Sequence, residues 1–264
     1  MKTGNESTGA KSRYSVDVQS FLIVLAVAVL LQLGYAFASP TVARAAMLSY
    51  SCTGPHCYGT SVWSSTSYYG GSTNISVVNL SCTPSVCGLD AGAVDNEMWL
   101  DGKVGQTTYW VEAGYSTYST DHTTTIDYFW ADSRPCCGYA EHVEGQVPSG
   151  DFGHNTSFQV YSLCCQEFQV EIYSPSVTYN GTSTSNSMAP SDVKIGQELS
   201  GASGTGGASA PTANFTDNAH WDSSNNRHYF TTEGIDNANN PPYVSWAIPP
   251  NGSNNGGEFQ THCC

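Results

Sequence analysis

The residues best placed to do chemistry are acids standing beside aromatic rings. The segment Tyr109-Trp110-Val111-Glu112-Ala113-Gly114-Tyr115 puts Trp110 and Glu112 on one face of an extended chain. Residues two apart share a face in a strand. The segment running from Asp127 to Pro135 does the same for Tyr128, Trp130 and Asp132. A third, Asp95-Asn96-Glu97-Met98-Trp99-Leu100, aligns Glu97 with Trp99. A carboxyl held against an indole is kept from water, which disfavours its charged form and raises its pKa. Two such carboxyls form an acid/base pair, and the rings supply platforms for an extended substrate. The expected pair is Glu112 and Asp132, with Trp110, Tyr128, Trp130, Glu97 and Trp99 as substrate-contacting residues. The competing reading makes Glu112 structural. Arg134 is then its partner, or is taken by Asp132 or Glu141.

Other chemistries lack their parts. There is no G-x-S-x-G elbow for a serine nucleophile. No glycine loop is followed by a helix that would cradle phosphates or a dinucleotide, and no cofactor is expected. Glu141 or His142, in Tyr139-Ala140-Glu141-His142-Val143, is a candidate for a cleft edge, against the commoner reading of the His as a surface residue or a backbone hydrogen-bond partner.

The elements that must position these acids are strands. Glu167 to Tyr173 alternates Phe168, Val170 and Ile172 against Glu167, Gln169 and Glu171, a period of two that marks a half-buried strand. Similar runs cover Ile75–Leu80, Glu97–Leu100, Thr107–Ala113, Thr125–Trp130, Ser157–Leu163, Val193–Leu199, Arg227–Thr232 and Tyr243–Ile248. Clusters of Gly, Pro, Asn and Ser separate them. Gly201–Thr212, Asp236–Pro242 and Pro249–Gly257 read as loops. Many short strands without helical periodicity predict an all-β antiparallel sandwich or jelly roll.

Lys2, Lys11 and Arg13 precede an apolar run from Phe21 to Leu31, and Ala36-Phe37-Ala38 and Ala43-Arg44-Ala45 follow. That is the order of a secretory signal peptide. Residues 1–45 are read as the leader, with an uncleaved anchor as the alternative, and residues 46–264 as one domain. Beyond the leader, Lys103, Arg134, Lys194 and Arg227 face 20 of the 22 acids, since only Glu6 and Asp17 precede residue 46. Such an acidic chain has little with which to neutralise phosphates or to dock on an anionic membrane. It suits an acidic habitat, where self-repulsion falls. The expected location is outside the cell, or its surface if the leader stays.

All ten cysteines lie beyond the leader, as Cys52/Cys57, Cys82/Cys87, Cys136/Cys137, Cys164/Cys165 and Cys263/Cys264. An even set in a secreted chain reads as a disulfide framework. Cys52–Cys57 and Cys82–Cys87 are expected to close short loops and Cys263-Cys264 to tie down the tail; for Cys136-Cys137 and Cys164-Cys165 a bridge between the dipeptides is expected, with strained vicinal bridges as the alternative, and the spacing alone does not fix the connectivity. The spacings do not match a zinc site, so no metal is expected. Beyond the leader, six N-x-S/T triplets begin at Asn74, Asn79, Asn155, Asn180, Asn214 and Asn251.

From Glu97 to Gln169 the order of motifs resembles secreted glutamic peptidases of the eqolisin type and, more loosely, neprosin-like proteins. Met98-Trp99-Leu100-Asp101-Gly102 is similar to that family's Trp-Val-Gly strand. Tyr109–Tyr115 is similar to its Gln-containing strand, Asp127–Pro135 to its aromatic segment, and Gly150-Asp151 to its Gly-Asp turn. The resemblance implies a concanavalin-like β-sandwich. It sets the family's catalytic Gln on Glu112 and its catalytic Glu near Asp132. The expected activity is acid hydrolysis of an extracellular polypeptide or polysaccharide. The alternatives are a lectin-like binding module without catalysis and a disulfide-rich surface or matrix protein.

Overall fold

The computed structural model describes residues 56–82, 93–118, 125–200, 208–232, 234–236, 243–247 and 257–263. The chain divides between Met47 and Leu48, and every described residue lies after that point. The leader therefore lies outside the described residues, among which no helix is long and apolar enough to cross a membrane.

The described residues form strands and turns. The strands are β1 His56–Ser64, β2 Gly70–Ser76, β3 Ser81–Cys82, β4 Ala93–Val104, β5 Thr107–Tyr118, β6 Thr125–Arg134, β7 Gly138–Gln146 and β8 Asn155–Ser162. They continue with β9 Phe168–Tyr173, β10 Thr178–Ser183, β11 Ala189–Ser200, β12 Ala208–Trp221, β13 Arg227–Tyr229, β14 Ile235–Asp236, β15 Tyr243–Ala247 and β16 Phe259–Cys263. One sheet runs β14-β1-β11-β4-β5-β6-β7, and the other runs β10-β9-β8-β2-β12-β16-β15 with β13 and β3 beside β12. The pairings are antiparallel throughout. The expected β-sandwich is the fold.

Alternation decides which face is core. Val94, Met98 and Leu100 of β4, Val111, Ala113 and Tyr115 of β5, and Val193, Ile195 and Leu199 of β11 are buried together with Ile75, Phe158, Val160 and Phe215 of the second sheet. Gly71 shows how close the sheets come. A side-chain carbon there would meet Val193 and Met98 across the interface at 2.8 and 2.9 Å. Tyr115 adds a polar clamp, its hydroxyl donating to the Ser76 carbonyl at 2.8 Å and accepting from the Val78 amide at 3.0 Å. The odd-numbered residues of β4 and even-numbered residues of β5 consequently project from the opposite, outer face of the seven-stranded sheet.

Three strand expectations change: of Ile75–Leu80 only Ile75 and Ser76 are strand, at the end of β2. Ala208–Thr212 belongs to β12 rather than to a loop. Its small residues have weak strand preference of their own, but pairing with neighbouring strands overrides propensity; Ala213 and Phe215 of the same strand sit opposite Thr261 and Phe259 of β16. Arg227–Thr232 forms strand only to Tyr229.

The sulfur expectations change more. Cys136 and Cys137 are bonded to each other, and Cys164 and Cys165 are free and exposed. The bridge expected between these dipeptides required each to lie on a strand with one sulfur per face. Both lie instead in hairpin turns, β6–β7 and β8–β9, and Cys165 and Gln166 take positive φ of 67°. Cys57 is buried and disulfide-bonded. Cys52, Cys87 and Cys264, and the side chains of Cys82 and Cys263, lie outside what is described.

Candidate active site

The register of the central strands gathers the acids. Glu97 lies opposite Gly114 and Trp99 opposite Glu112 on β5, while Asp95 lies opposite Glu198 and Glu97 opposite Gly196 on β11. Paired residues share a face, so Asp95, Glu97, Trp99, Glu112 and Glu198 all project from the outer face. Glu97 is the diagonal neighbour of Glu112 on one side and of Glu198 on the other, positions about 7–8 Å apart in an antiparallel pair. In both gaps the intervening residue is a glycine. A side-chain carbon on Gly114 would collide with Glu97, and one on Gly196 with Thr60. The glycines therefore keep open the space into which the acids reach.

All four acids are buried, Glu97 at 1% exposure and Glu112 at 6%. The Tyr139 hydroxyl on edge strand β7 donates to Glu112 Oε1 at 3.2 Å and to Glu141 Oε2 at 3.5 Å, and Trp110 donates to Glu112 from its own strand. Tyr139 stands beside Trp110 with ring centroids 6.3 Å apart. On the other flank, Tyr58 of β1 meets Trp99 edge-on at 6.2 Å. His56 Nδ1 bonds Glu198 Oε1.

Burial is the first cause of every raised carboxyl pKa here. It pushes Glu112 up to about 8, helped by the charge of Glu198 and opposed by the Tyr139 and Trp110 hydrogen bonds. Glu97 is held well above the carboxylate range by burial and then by Glu112, Asp95 and Glu198. Asp95 is raised by burial and then by Glu198. The Glu198 charge thus acts on all three. Three of the four carboxyls are pushed toward the protonated form, which suits them to donate a proton.

The expected pairing of Glu112 with Asp132 is corrected by register. Glu112 lies opposite Ala131, and Asp132 lies opposite Val111, so Asp132 projects to the other side of the sheet. There it is 1% exposed and held by Arg134 Nε at 3.1 Å. Of the three partners expected for Arg134, Asp132 is the one it takes. Tyr128 and Trp130 follow Asp132 to the inner face. The Tyr128 hydroxyl donates to Asp151 Oδ2 at 3.0 Å and lies 3.0 Å from Thr156 Oγ1. Trp130 stacks on His142 at 3.8 Å, donates to Glu144 at 2.8 Å, and fills the space over Gly181 of β10. These rings are core, not platforms. Trp110, Glu97 and Trp99 do share the outer face with Glu112.

Asp95 and Glu198 were absent from the sequence expectation. Asp95 had a signal, because Asp95, Glu97, Trp99 and Asp101 alternate at the strand period. Glu198 had none, having no aromatic neighbour on its strand and lying some 86 residues beyond Glu112 in the chain.

No family model matches the chain, and no curated protein sequence matches it. Among solved structures it is similar to scytalido-glutamic peptidase with a peptide-based transition state analog, at 13% identity and a TM-score of 0.51, over 79% of this chain and 98% of that one. A second structure of that peptidase, with a transition state analog inhibitor, matches at the same identity, coverage and TM-score. SCP-B, a member of the eqolisin family in complex with the tripeptide Ala-Ile-His, is 13% identical over 79% of this chain and 98% of that one, with a TM-score of 0.49. At this identity the likeness is one of fold.

Proposed function

We propose that the protein is a secreted hydrolase of extracellular polymers, glutamic-peptidase-like, in which Glu112 and Glu198 are the working carboxyls. The observation that carries this reading is their common face: Glu112, buried between Trp110 and Tyr139, takes its largest charge influence from Glu198 on a strand two places away. Glu198 accepts the proton of a water molecule, and Glu112 gives its own proton to the leaving group. Glu97, between them, keeps its proton and spares the site a second uncompensated charge. Trp99 and Tyr58 flank one side and Trp110 and Tyr139 the other; Trp99 is itself buried, while Tyr58, Trp110 and Tyr139 offer accessible ring surface to an extended chain. The fold shared with a peptidase solved with peptide-based analogs supports a polypeptide substrate over a glycan.

The protonation logic sets the pH range. Glu112 must hold its proton, so turnover falls as pH rises through about 8. The test is a degradation screen of peptide and polysaccharide libraries from acid to neutral pH, with Glu112→Gln and Glu198→Gln alongside. Products from the wild type and none from either folded variant support the reading. Equal turnover by Glu112→Gln overturns it. Ligand capture without products identifies the lectin-like binding module.

A further inference from the structure

The outer face gathers more carboxyl groups than the proposed hydrolysis uses. Asp95, Glu97 and Glu198 each offer a carboxylate oxygen, and the three atoms lie within 4.8 Å of one another. Exposed acids satisfy their oxygens with water, but these three are 7%, 1% and 7% exposed. Among the described residues Glu97 Oε2 has no hydrogen-bond partner, and Asp95 has the Ser116 hydroxyl of the facing strand. A second polar atom nearby shares the condition of Glu97 Oε2 without being an acid. Thr60 Oγ1 is 1% exposed and unpartnered, and Thr60 stands on the same face beside Gly196, the residue paired with Glu97. A buried polar atom left unpaired costs about 1–3 kcal/mol. Two such atoms around one gap call for an occupant.

The cations among the described residues do not supply it. Lys194, on the same face, is committed to Asp101. Arg134 is held by Asp132 on the inner face, and Arg227 donates to the Asp217 carbonyl in the other sheet. Lys103 lies exposed at the far end of β4. His56 reaches Glu198 through Oε1, which leaves the second oxygen of that carboxylate for another partner.

We propose that Asp95, Glu97 and Glu198 form a binding site for a divalent cation of calcium size. The donors are all oxygen, which suits a hard cation rather than zinc or copper. Two ligands on opposite sides of an ion are separated by at most twice the bond length, about 4.6–5.2 Å for Ca²⁺ and about 4.0–4.2 Å for Mg²⁺. A set spanning up to 4.8 Å encloses Ca²⁺ without contraction. The cation brings Glu198 out of reach of water, so Ca²⁺ would hold the hydrolase off; that consequence alone rests on the hydrolytic reading.

The experiment is a calorimetric titration of the EDTA-dialysed full chain with CaCl₂ and MgCl₂ near neutral pH, paired with thermal unfolding. One Ca²⁺ binds per chain, Mg²⁺ binds at least tenfold more weakly, and the melting temperature rises with Ca²⁺ and returns on adding EDTA. Asp95→Asn and Glu97→Gln weaken Ca²⁺ at least tenfold, whereas Glu171→Gln, in the second sheet, does not. Tb³⁺ serves as a probe that needs no variant, since Trp99 on the same face would sensitise its emission and Ca²⁺ would quench it by displacement. Absence of binding heat and of displaceable Tb³⁺ emission at millimolar Ca²⁺ overturns the proposal, as does unchanged affinity in folded Asp95→Asn. None of these readouts depends on turnover, so a protein that binds Ca²⁺ but degrades nothing refutes the hydrolase and leaves the site standing.

Discussion

Replacing Glu112 by Gln separates its electrostatic cost from its chemistry. Glu112 moves from 4.5 when unfolded to about 8 when folded, chiefly through burial. The folded state therefore binds a proton more tightly than the unfolded state. Its contribution is fully present below pH 4.5 and is lost as pH rises through about 8. A tenfold difference in proton affinity between the two states is worth about 1.36 kcal/mol, so the loss across that window is roughly 4–5 kcal/mol. Gln has the shape of the protonated acid, retains an acceptor for Tyr139 and Trp110, and cannot ionise. Wild type and Glu112→Gln should thus be equally stable near pH 4, while at pH 8 the variant should be more stable by several kcal/mol. For a domain of this size that is roughly 10 °C in melting temperature. The assay is thermal unfolding of both proteins at half-unit pH steps in EDTA, with turnover measured on the same samples. Turnover should fall by about 100-fold or more, the scale of losing a general acid. Parallel stability profiles for the two proteins would refute the burial argument. A variant that is stabilised at high pH yet fully active would refute the catalytic one.

Asp132→Asn should leave turnover within twofold while lowering urea stability by about 1–3 kcal/mol, because it strands Arg134 without its buried partner; a loss of turnover in the folded variant would return Asp132 to the site. Trp130→Ala should cost about 3–5 kcal/mol in equilibrium unfolding, as for other large-to-small core changes, and a cost near zero would place its ring outside the core. Tyr139→Phe removes a hydrogen bond that holds Glu112 down, so the high-pH limb of the turnover profile should move upward; a downward move would refute that role. Alkylation without reductant, read by mass spectrometry, should label Cys164 and Cys165 and spare Cys136 and Cys137, and the reverse pattern would show the sulfur assignment to be wrong.

Strand periodicity was legible in the chain because it is local. Phe168, Val170 and Ile172 alternate with polar residues over six positions, and that alternation alone places them on a buried face. The same local rule correctly put Glu112 with Trp110 and Glu97 with Trp99, since each pair lies on one strand. It could not say which face of one strand continues onto the next. Asp132 and Glu112 sit on neighbouring strands in equally aromatic surroundings, and one residue of register separates a shared site from opposite sides of the sheet. Pairing Val111 with Asp132 decided against the site. The tertiary structure also brought in Glu198, because β11 inserts between β1 and β4 although it follows them by about ninety residues or more. Alternation along a strand is a property of consecutive residues. Register and strand order depend on packing between segments far apart in the chain, and the cluster of acids exists only through them.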